Sequence, residues 1–278
     1  MIRGTTALIA HIGYPTHTFK APLVYNPYFE HSGIDAVVVP MACEAGPYPA
    51  FLKALFSLRN IIGALITMPH KVTTVTLLDE ATPAVRIAGS CNAVRRRRGG
   101  GLQGDLFDGE GFVRGVRRKG INIAGARALI VGAGGVGAAI AASLAAARVS
   151  DLTLYDVRDE VARRLGERLR HHYPQVRVAI GTNDPSGHDL VVNATPLGMN
   201  DGDPLPVDVA RLAPETFVGE VVMKEEMTPF LQAAAARGCR FQVGTDMLFE
   251  QIPAYLEFFG LPSTTPDALR ALAKISYP

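Results

Sequence analysis

The sequence predicts a two-domain α/β protein whose second domain is a doubly wound parallel sheet. Three observations carry this. Short apolar runs alternate with helical stretches along both halves of the chain. The run Gly132-Ala133-Gly134-Gly135-Val136-Gly137 directly follows one apolar strand and opens a helix. At 278 residues the chain is long enough for two hydrophobic cores.

In the first half, residues 6–12 read as a buried strand, broken by Gly13-Tyr14-Pro15 and followed by an irregular stretch to Pro22. Residues 23–31 form a helix ended by Gly33, 34–40 a strand, 48–58 a helix and 63–67 a third strand. Pro69 suits the first turn of another helix. Residues 87–95 and 101–104 read as a strand pair around an arginine-glycine turn. A second unit begins near Gly120. Its strands are 126–131, 152–155, 177–180, 190–193, 216–222 and 240–243; its helices are 138–147, 158–169 and 227–236. The apolar helix from Asp246 to Phe259 returns to pack on the first domain. The expected division is 1–112 plus 244–278 for one domain and 113–243 for the other.

Lys plus Arg number 28 and Asp plus Glu 26, a formal charge of +2. That balance argues against nucleic acid as a partner. The exception is Arg95-Arg96-Arg97-Arg98, either a phosphate patch or a solvated turn before Gly99-Gly100-Gly101. Cys43, Cys91 and Cys239 match neither a redox pair nor a zinc knuckle, so no metal is expected. Their odd number suits free thiols and a cytoplasmic location. The start has no leader pattern, and the Ala-rich run from Ala138 to Ala147 is too short to cross a bilayer, so no membrane is expected.

Each glycine of the loop has its own reason. Gly132 permits the tight turn, Gly134 lets the backbone approach a pyrophosphate, and Gly137 lets helix and strand pack closely. Gly135 and Val136 begin the helix, whose free N–H groups face the diphosphate. Asp156 ends the next strand, where a carboxylate accepts from the adenosine 2′-hydroxyl and repels a 2′-phosphate. NAD is therefore the expected cofactor. Arg158 keeps NADP open, and the alternative role for Asp156 is a helix cap.

In the first half, Lys71 follows Thr67-Met68-Pro69-His70 at a strand-to-helix junction, the kind of place where α/β proteins bind ligands. His70 is an alternative base. Asp108, in Gly104-Asp105-Leu106-Phe107-Asp108-Gly109, is a partner for Lys71 or part of a glycine-assisted turn between domains.

Several of these motifs, in this order, resemble one family. Thr67-Met68-Pro69-His70-Lys71 resembles TxPxK, Gly89-Ser90-Cys91-Asn92 resembles GAVN, and residues 104–109 resemble GDNTDG. Asn193-Ala194-Thr195-Pro196-Leu197-Gly198-Met199 reads NATPLGM, and residues 246–251 resemble the segment ending in a substrate-touching glutamine. The chain resembles the shikimate and quinate dehydrogenases along essentially its whole length. The resemblance implies an N-terminal α/β substrate-binding domain and a Rossmann-type cofactor domain. It implies reversible hydride transfer between a ring secondary alcohol, the 3-hydroxyl, and a nicotinamide. By the same resemblance Lys71 and Asp108 are catalytic, and Thr67, Asn92 and Gln251 hold substrate. Asn193, Thr195, Pro196 and Gly244 join the glycine loop, Asp156 and Arg158 around the cofactor. The implied partner is a small cyclic hydroxy acid, and a monomer or a homodimer fits.

The departures share one direction. The family's carboxylate-binding SxS falls on Phe19 and Ala21, and its preceding histidine on Thr18, with His17 one place earlier. An asparagine two residues before the threonine becomes Leu65, the polar pair before the aspartate becomes Leu106-Phe107, and a tyrosine becomes Met223. The phosphate-gripping NRT becomes Asp156-Val157-Arg158. Losing these polar contacts weakens recognition of the usual substrate. Lys20 or His17 offers a replacement carboxylate contact. The competing readings are a dehydrogenase of this fold for another cyclic hydroxy acid or an amino analogue, and a dinucleotide-binding protein without turnover.

Overall fold

Two six-stranded sheets organise the chain, one in each of two units of this computed structural model, which describes residues 2–17 and 19–275. The first unit comprises Met1–Phe107 and Ile252–Pro278, the second Asp108–Gln251. The expected division at 112/113 and 243/244 therefore differs at both ends. Residues 108–118 form a helix that packs on the glycine-loop helix of the second unit, and this draws Asp108 to that side.

The first unit runs β1 (Ala7–Gly13), α1 (Pro22–His31), β2 (Ala36–Ala42), α2 (Tyr48–Leu55), β3 (Ile61–Ile66), α3 (Lys71–Val75), β4 (Glu80–Ala81), α4 (Pro83–Ala88), β5 (Ala93–Arg96) and β6 (Leu102–Asp105). The strand order is β2-β1-β3-β5-β6-β4. β1 lies parallel to β2 and β3, and β5 antiparallel to β3 and β6. Ile9, Ile12, Val24, Val38, Leu52 and Ala64 are buried in its core, as the apolar runs predict.

Residues 87–95 do not form one strand. Pro83 opens a short helix, α4, which Gly89 closes at φ +65°, so Ile87 is buried as a helical residue. A left-handed residue ends that helix, and the strand starts only at Ala93. The arginine run likewise has structural partners. Arg95 donates to Gln103 and to the Phe258 carbonyl, Arg96 to the carbonyls of Phe56 and Leu58, and Arg97 pairs with Glu80. These commitments replace the phosphate-patch reading for Arg95, Arg96 and Arg97.

The second unit runs α5 (Asp108–Arg118), β7 (Arg127–Val131), α6 (Gly135–Ala146), β8 (Asp151–Tyr155), α7 (Asp159–His172), β9 (Arg177–Ile180), β10 (Leu190–Asn193), β11 (Phe217–Glu220), α8 (Pro229–Ala236), β12 (Arg240–Gln242) and the start of α9 (Gly244–Phe259). Its strands are all parallel, in the order β12-β11-β10-β7-β8-β9. The chain thus winds outward one way from β7 and then the other way from β10. This is the doubly wound arrangement, and its switch point lies between the carboxyl ends of β7 and β10.

The helix α5 replaces the expected glycine-assisted turn. Its glycines obscure the helical period in the sequence and have a packing reason. A Cβ on Gly109 would lie 2.0 Å from the Ala139 carbonyl oxygen of α6, and one on Gly111 would lie 2.6 Å from the Met247 carbonyl oxygen. α9 continues past Gln251 into residues grouped with the first unit, and α10 (Pro266–Leu272) follows. There Lys274 N–H donates to the Leu23 carbonyl at 2.9 Å and the Tyr28 hydroxyl to the Pro262 carbonyl at 3.0 Å. The C-terminal segment is fastened to α1 in this way. Among the described residues no helix is long and apolar enough to cross a membrane.

Candidate active site

In the first unit the candidate substrate residues gather at the carboxyl ends of β1 and β3. These strands are parallel and pair His11 with Leu65, so the two side chains share a face of the sheet. Gly13 ends β1, and Thr67 directly follows β3, its N–H donating to the Ile12 carbonyl at 3.0 Å. A Cβ on Gly13 would meet Thr67 Cγ2 at 2.5 Å, the Met68 carbonyl oxygen at 2.8 Å and Phe19 Cζ at 2.9 Å. Only glycine lets these three groups converge. Phe19 stacks on the His11 ring, with centroids 3.9 Å apart and planes inclined by 25°. Lys20 and Ala21 follow, half-buried, and Ala21 leads into α1. Thr18 lies outside the described residues, and His17 is exposed.

Lys71 begins α3 and is half-buried. Its carbonyl accepts the Cys91 N–H at 2.9 Å, which ties it to the segment carrying Asn92. Asn92 is 1% exposed. Its Oδ1 accepts the Phe107 N–H at 3.0 Å, while its Nδ2 is buried without a hydrogen-bond partner. A buried donor left unpaired costs about 1–3 kcal/mol, a cost that a bound oxygen removes. The Leu106-Phe107 departure has a packing reason. Phe107 packs edge-on against Tyr255 and Phe258, with centroids 4.8 and 5.5 Å away.

His70 is not a candidate base. It is 1% exposed, stacks on Tyr48 at 3.8 Å, and its Nε2 lies 2.7 Å from the Cys43 carbonyl oxygen. The sequence could not distinguish this core histidine from a reactive one.

Sequence reasoning passed over His11. The residue is buried, and its Nδ1 has no partner. Burial first, and the charge of Lys71 second, push its pKa down from 6.5 to about 4. A polar residue inside the apolar run 7–12 was the available signal. The consequence for stability has a definite sign. As pH falls through 6.5 the unfolded chain takes up a proton that folded His11 refuses until about pH 4. The stability linked to this group is complete above that window and is lost across it. The loss approaches about 3 kcal/mol. Urea denaturation of wild type and His11→Leu at pH 7 and pH 4.5 checks this: the acid loss is expected to be smaller in the variant.

In the second unit the glycine loop sits at the switch point. Gly132 has φ +102°, and a Cβ there would lie 2.7 Å from the Ala194 carbonyl oxygen. A Cβ on Gly137 would lie 1.9 Å from the Gly132 carbonyl oxygen. At Gly134, by contrast, a Cβ would meet nothing within 4 Å, and no side chain caps α6. Gly135 is exposed and Val136 half-buried at that helix start. The loop therefore presents an open cradle of uncapped N–H groups, which fits a diphosphate.

Asp156 reaches into this loop. Its Oδ2 accepts the Ala133 N–H at 2.8 Å, and its Oδ1 accepts the Arg158 N–H at 2.9 Å. The exposed Arg158 guanidinium lies 3.7 Å from the same carboxylate. The segment after β10 lies against Gly132, with Thr195 half-buried and Pro196 exposed. Asn193 itself is turned inward with no exposed surface. Its Nδ2 donates to the Leu197 carbonyl and to Glu220, and its Oδ1 accepts from Thr195. Its side chain shapes the loop and offers nothing outward, unlike the cofactor contact expected for it.

Glu220 was also missed. It is fully buried and accepts from the N–H groups of Val221 and Val222, from Thr228 and from Asn193. Burial raises its pKa. Gly244 opens α9, where a Cβ would lie 2.1 Å from the Val222 carbonyl oxygen. Asp108 begins α5 and Gln251 lies on α9. Both are buried, and Gln251 Oε1 has no partner.

The chain is similar to known proteins over nearly its whole length. Residues 11–94 match the model of the shikimate dehydrogenase substrate binding domain. The shikimate dehydrogenase (NADP(+)) of Acidiphilium cryptum is 34% identical over 276 residues, 98% of each chain. A shikimate 5-dehydrogenase from Listeria monocytogenes, solved with shikimate and NAD, superposes with a TM-score of 0.91 at 25% identity. That match covers 98% of this chain and 97% of the other. The 5-ketofructose reductase of a Gluconobacter species superposes with a TM-score of 0.87 at 25% identity, over 96% and 97% of the two chains. The chain belongs to the shikimate dehydrogenase family of NAD(P)-dependent oxidoreductases.

Proposed function

We propose that this protein catalyses reversible hydride transfer between a ring secondary alcohol, the 3-hydroxyl of a small cyclic hydroxy acid of the shikimate or quinate type, and NAD. The observation that carries this is the unpaired Asn92 Nδ2, on a segment tied through backbone hydrogen bonds to Lys71 and to the end of β3 just before Thr67. The bound nicotinamide supplies the hydride chemistry. Lys71 accepts or relays the hydroxyl proton and stabilises the developing alkoxide. Thr67 and Asn92 hold neighbouring oxygens, and the family resemblance supports a catalytic role for Asp108 and a substrate contact for Gln251. Gly132, Gly134, Gly135, Val136, Gly137, Thr195, Pro196 and Gly244 bound the dinucleotide, with Asn193 acting through the loop it shapes. Steady-state assays crossing shikimate, quinate and their analogues with NAD and NADP test the reading. Absence of turnover with every pair would sink it and favour a binding protein.

Phe19 and Ala21 support a second reading of the substrate. Two hydroxyls are absent from the segment over the β1–β3 face, and Leu65 adds an apolar wall. A compound outside the shikimate and quinate pair fits such a face. The Gluconobacter relative is named for a ketose, so polyhydroxylated ketones belong in the same panel.

NAD is the preferred dinucleotide on this proposal. The Asp156 carboxylate, held against the glycine loop, supports this reading, because its negative charge disfavours a 2′-phosphate. Asp156→Ser is expected to shift the ratio of kcat/KM for NAD over NADP toward NADP by roughly tenfold. Initial rates with each cofactor measure it; an unchanged ratio removes Asp156 as the discriminator.

A further inference from the structure

Three strands of the second unit end in one row. Val131 of β7 pairs in register with Asn193 of β10, and Asn193 with Glu220 of β11. The glycine loop follows Val131, the 194–198 loop follows Asn193, and the segment leading to α8 follows Glu220. Val131 is apolar and buried, as a central parallel strand requires. Asn193 and Glu220 are polar and have no exposed surface. A carboxylate at that depth is costly, and an apolar residue of similar volume often serves stability as well or better. The partners of Glu220 point to another role. Among the described residues they are all donors. Oε1 accepts the N–H groups of Val221 at 2.8 Å and Val222 at 3.0 Å, and Oε2 accepts the Thr228 hydroxyl at 3.0 Å. Asn193 Nδ2 lies 3.0 and 3.1 Å from the two oxygens. Burial raises the pKa of Glu220, and these donors oppose the rise.

The two ends of a side-chain amide have nearly the same shape, so packing alone does not decide which way Asn193 faces. Glu220 decides it. An acceptor-only carboxylate draws Nδ2, and this turns Oδ1 toward Thr195. There Oδ1 accepts the Thr195 N–H at 3.1 Å and the Thr195 hydroxyl at 2.6 Å. The hydroxyl proton is thereby committed inward, and its oxygen accepts the Leu197 N–H at 3.1 Å. Nδ2 also donates to the Leu197 carbonyl at 3.0 Å. Each bond sets the polarity of the next, from Glu220 to Leu197. The loop held in this way lies against both close-packed glycines. The Ala194 carbonyl oxygen would be 2.7 Å from a Cβ on Gly132, and Ala194 Cβ 3.2 Å from one on Gly137.

We propose that Glu220 is a positioning residue for dinucleotide binding: its buried carboxylate orients the Asn193 amide and, through Thr195, holds residues 194–197 against the glycine loop in the form that binds the cofactor. The inference rests on the dinucleotide-dependent hydride-transfer reading and deepens its cofactor side. Glu220 acts from beneath the site, through Asn193 and Thr195.

The test is a double-mutant cycle on dinucleotide affinity. Fluorescence titration with NADH and NADPH gives Kd for wild type, Glu220→Gln, Thr195→Val and the double variant, alongside the melting temperature of each. Steady-state rates with NAD and shikimate give KM and kcat. Glu220→Gln keeps the size of the side chain and exchanges one acceptor for a donor. It is expected to raise Kd roughly tenfold, the loss of one charge-assisted hydrogen bond. The loss should appear in KM for the dinucleotide more than in kcat. Thr195→Val cuts the relay, so Glu220→Gln should add less than about twofold in that background. A carboxylate that only supports the core would lower the melting temperature and leave Kd of the folded protein alone. Should Glu220→Gln not fold, Asn193→Asp takes its place in the cycle, because it sets an acceptor against Glu220 where a donor stood. The proposal is overturned if the substitution leaves Kd at the wild-type value, or if it raises Kd equally with and without the Thr195 hydroxyl. The expected Kd pattern without turnover of any substrate supports the proposal and counts against the hydride-transfer reading alone. Turnover by wild type with an unchanged Kd in the variant overturns the proposal alone, and a wild type that binds neither dinucleotide overturns both.

Discussion

Replacing Lys71 by alanine is expected to lower kcat by roughly 10²- to 10⁴-fold, the range for removal of a positioned proton-transfer group. Lys71 lies at the start of α3, held through its carbonyl by the Cys91 N–H. Its charge is felt at His11 and at Cys91. It therefore brings positive charge to this sheet face, next to the segment that carries Asn92. An alkoxide forming there gains most from a fixed positive charge, because the gain arises only as the negative charge develops. The loss should consequently fall on kcat more than on KM. Stopped-flow single turnovers with saturating cofactor separate the chemical step from binding. Near-normal turnover in the variant would remove Lys71 from the reaction.

Replacing Gly137 by valine is expected to abolish dinucleotide binding and to destabilise the second unit by about 3 kcal/mol. The Cβ alone would lie 1.9 Å from the Gly132 carbonyl oxygen and 3.2 Å from Ala194 Cβ. Backbone on one side and an adjoining loop on the other leave no flexible side chain to yield. Relief requires α6 to move away from β7, which also pulls apart the turn at Gly132. Gly134→Ala provides the contrast. Its added methyl meets nothing in the protein, so stability should hold while dinucleotide affinity falls. Thermal denaturation and fluorescence titration with NADH measure the two effects separately. Equal stability of Gly137→Val and wild type would contradict the close packing.

The pattern of apolar runs was sufficient for the second unit. Its six parallel strands fall where 126–131, 152–155, 177–180, 190–193, 216–222 and 240–243 were expected, because buried parallel strands are apolar on both faces. The glycine loop was equally legible, since each glycine answers a local demand: a positive φ at Gly132, an open approach at Gly134, backbone contact at Gly137. The stretch 83–118 was harder to read. Pro83 and Gly89 bracket a helix shorter than two turns, and glycines at 109, 111 and 115 interrupt the helical period of α5. Those glycines answer to neighbours remote in sequence, such as Ala139 and Met247, which local pattern cannot reveal.

The same division holds for the candidate site. By itself the sequence determined the two-sheet α/β plan, the dinucleotide loop and the motif positions of Lys71, Asn92, Asp108 and Gln251, because these depend on residue type at short spacing. Only the tertiary structure decided which polar groups are spent and which remain to be paired. His70 and Asn193 look reactive as letters and are consumed by Cys43, Glu220 and Leu197. His11 looks like an interruption of a strand and carries an unpaired nitrogen beside Phe19. Hydrogen-bond satisfaction is a property of contacts between distant segments, so it appears only when the strands are laid side by side.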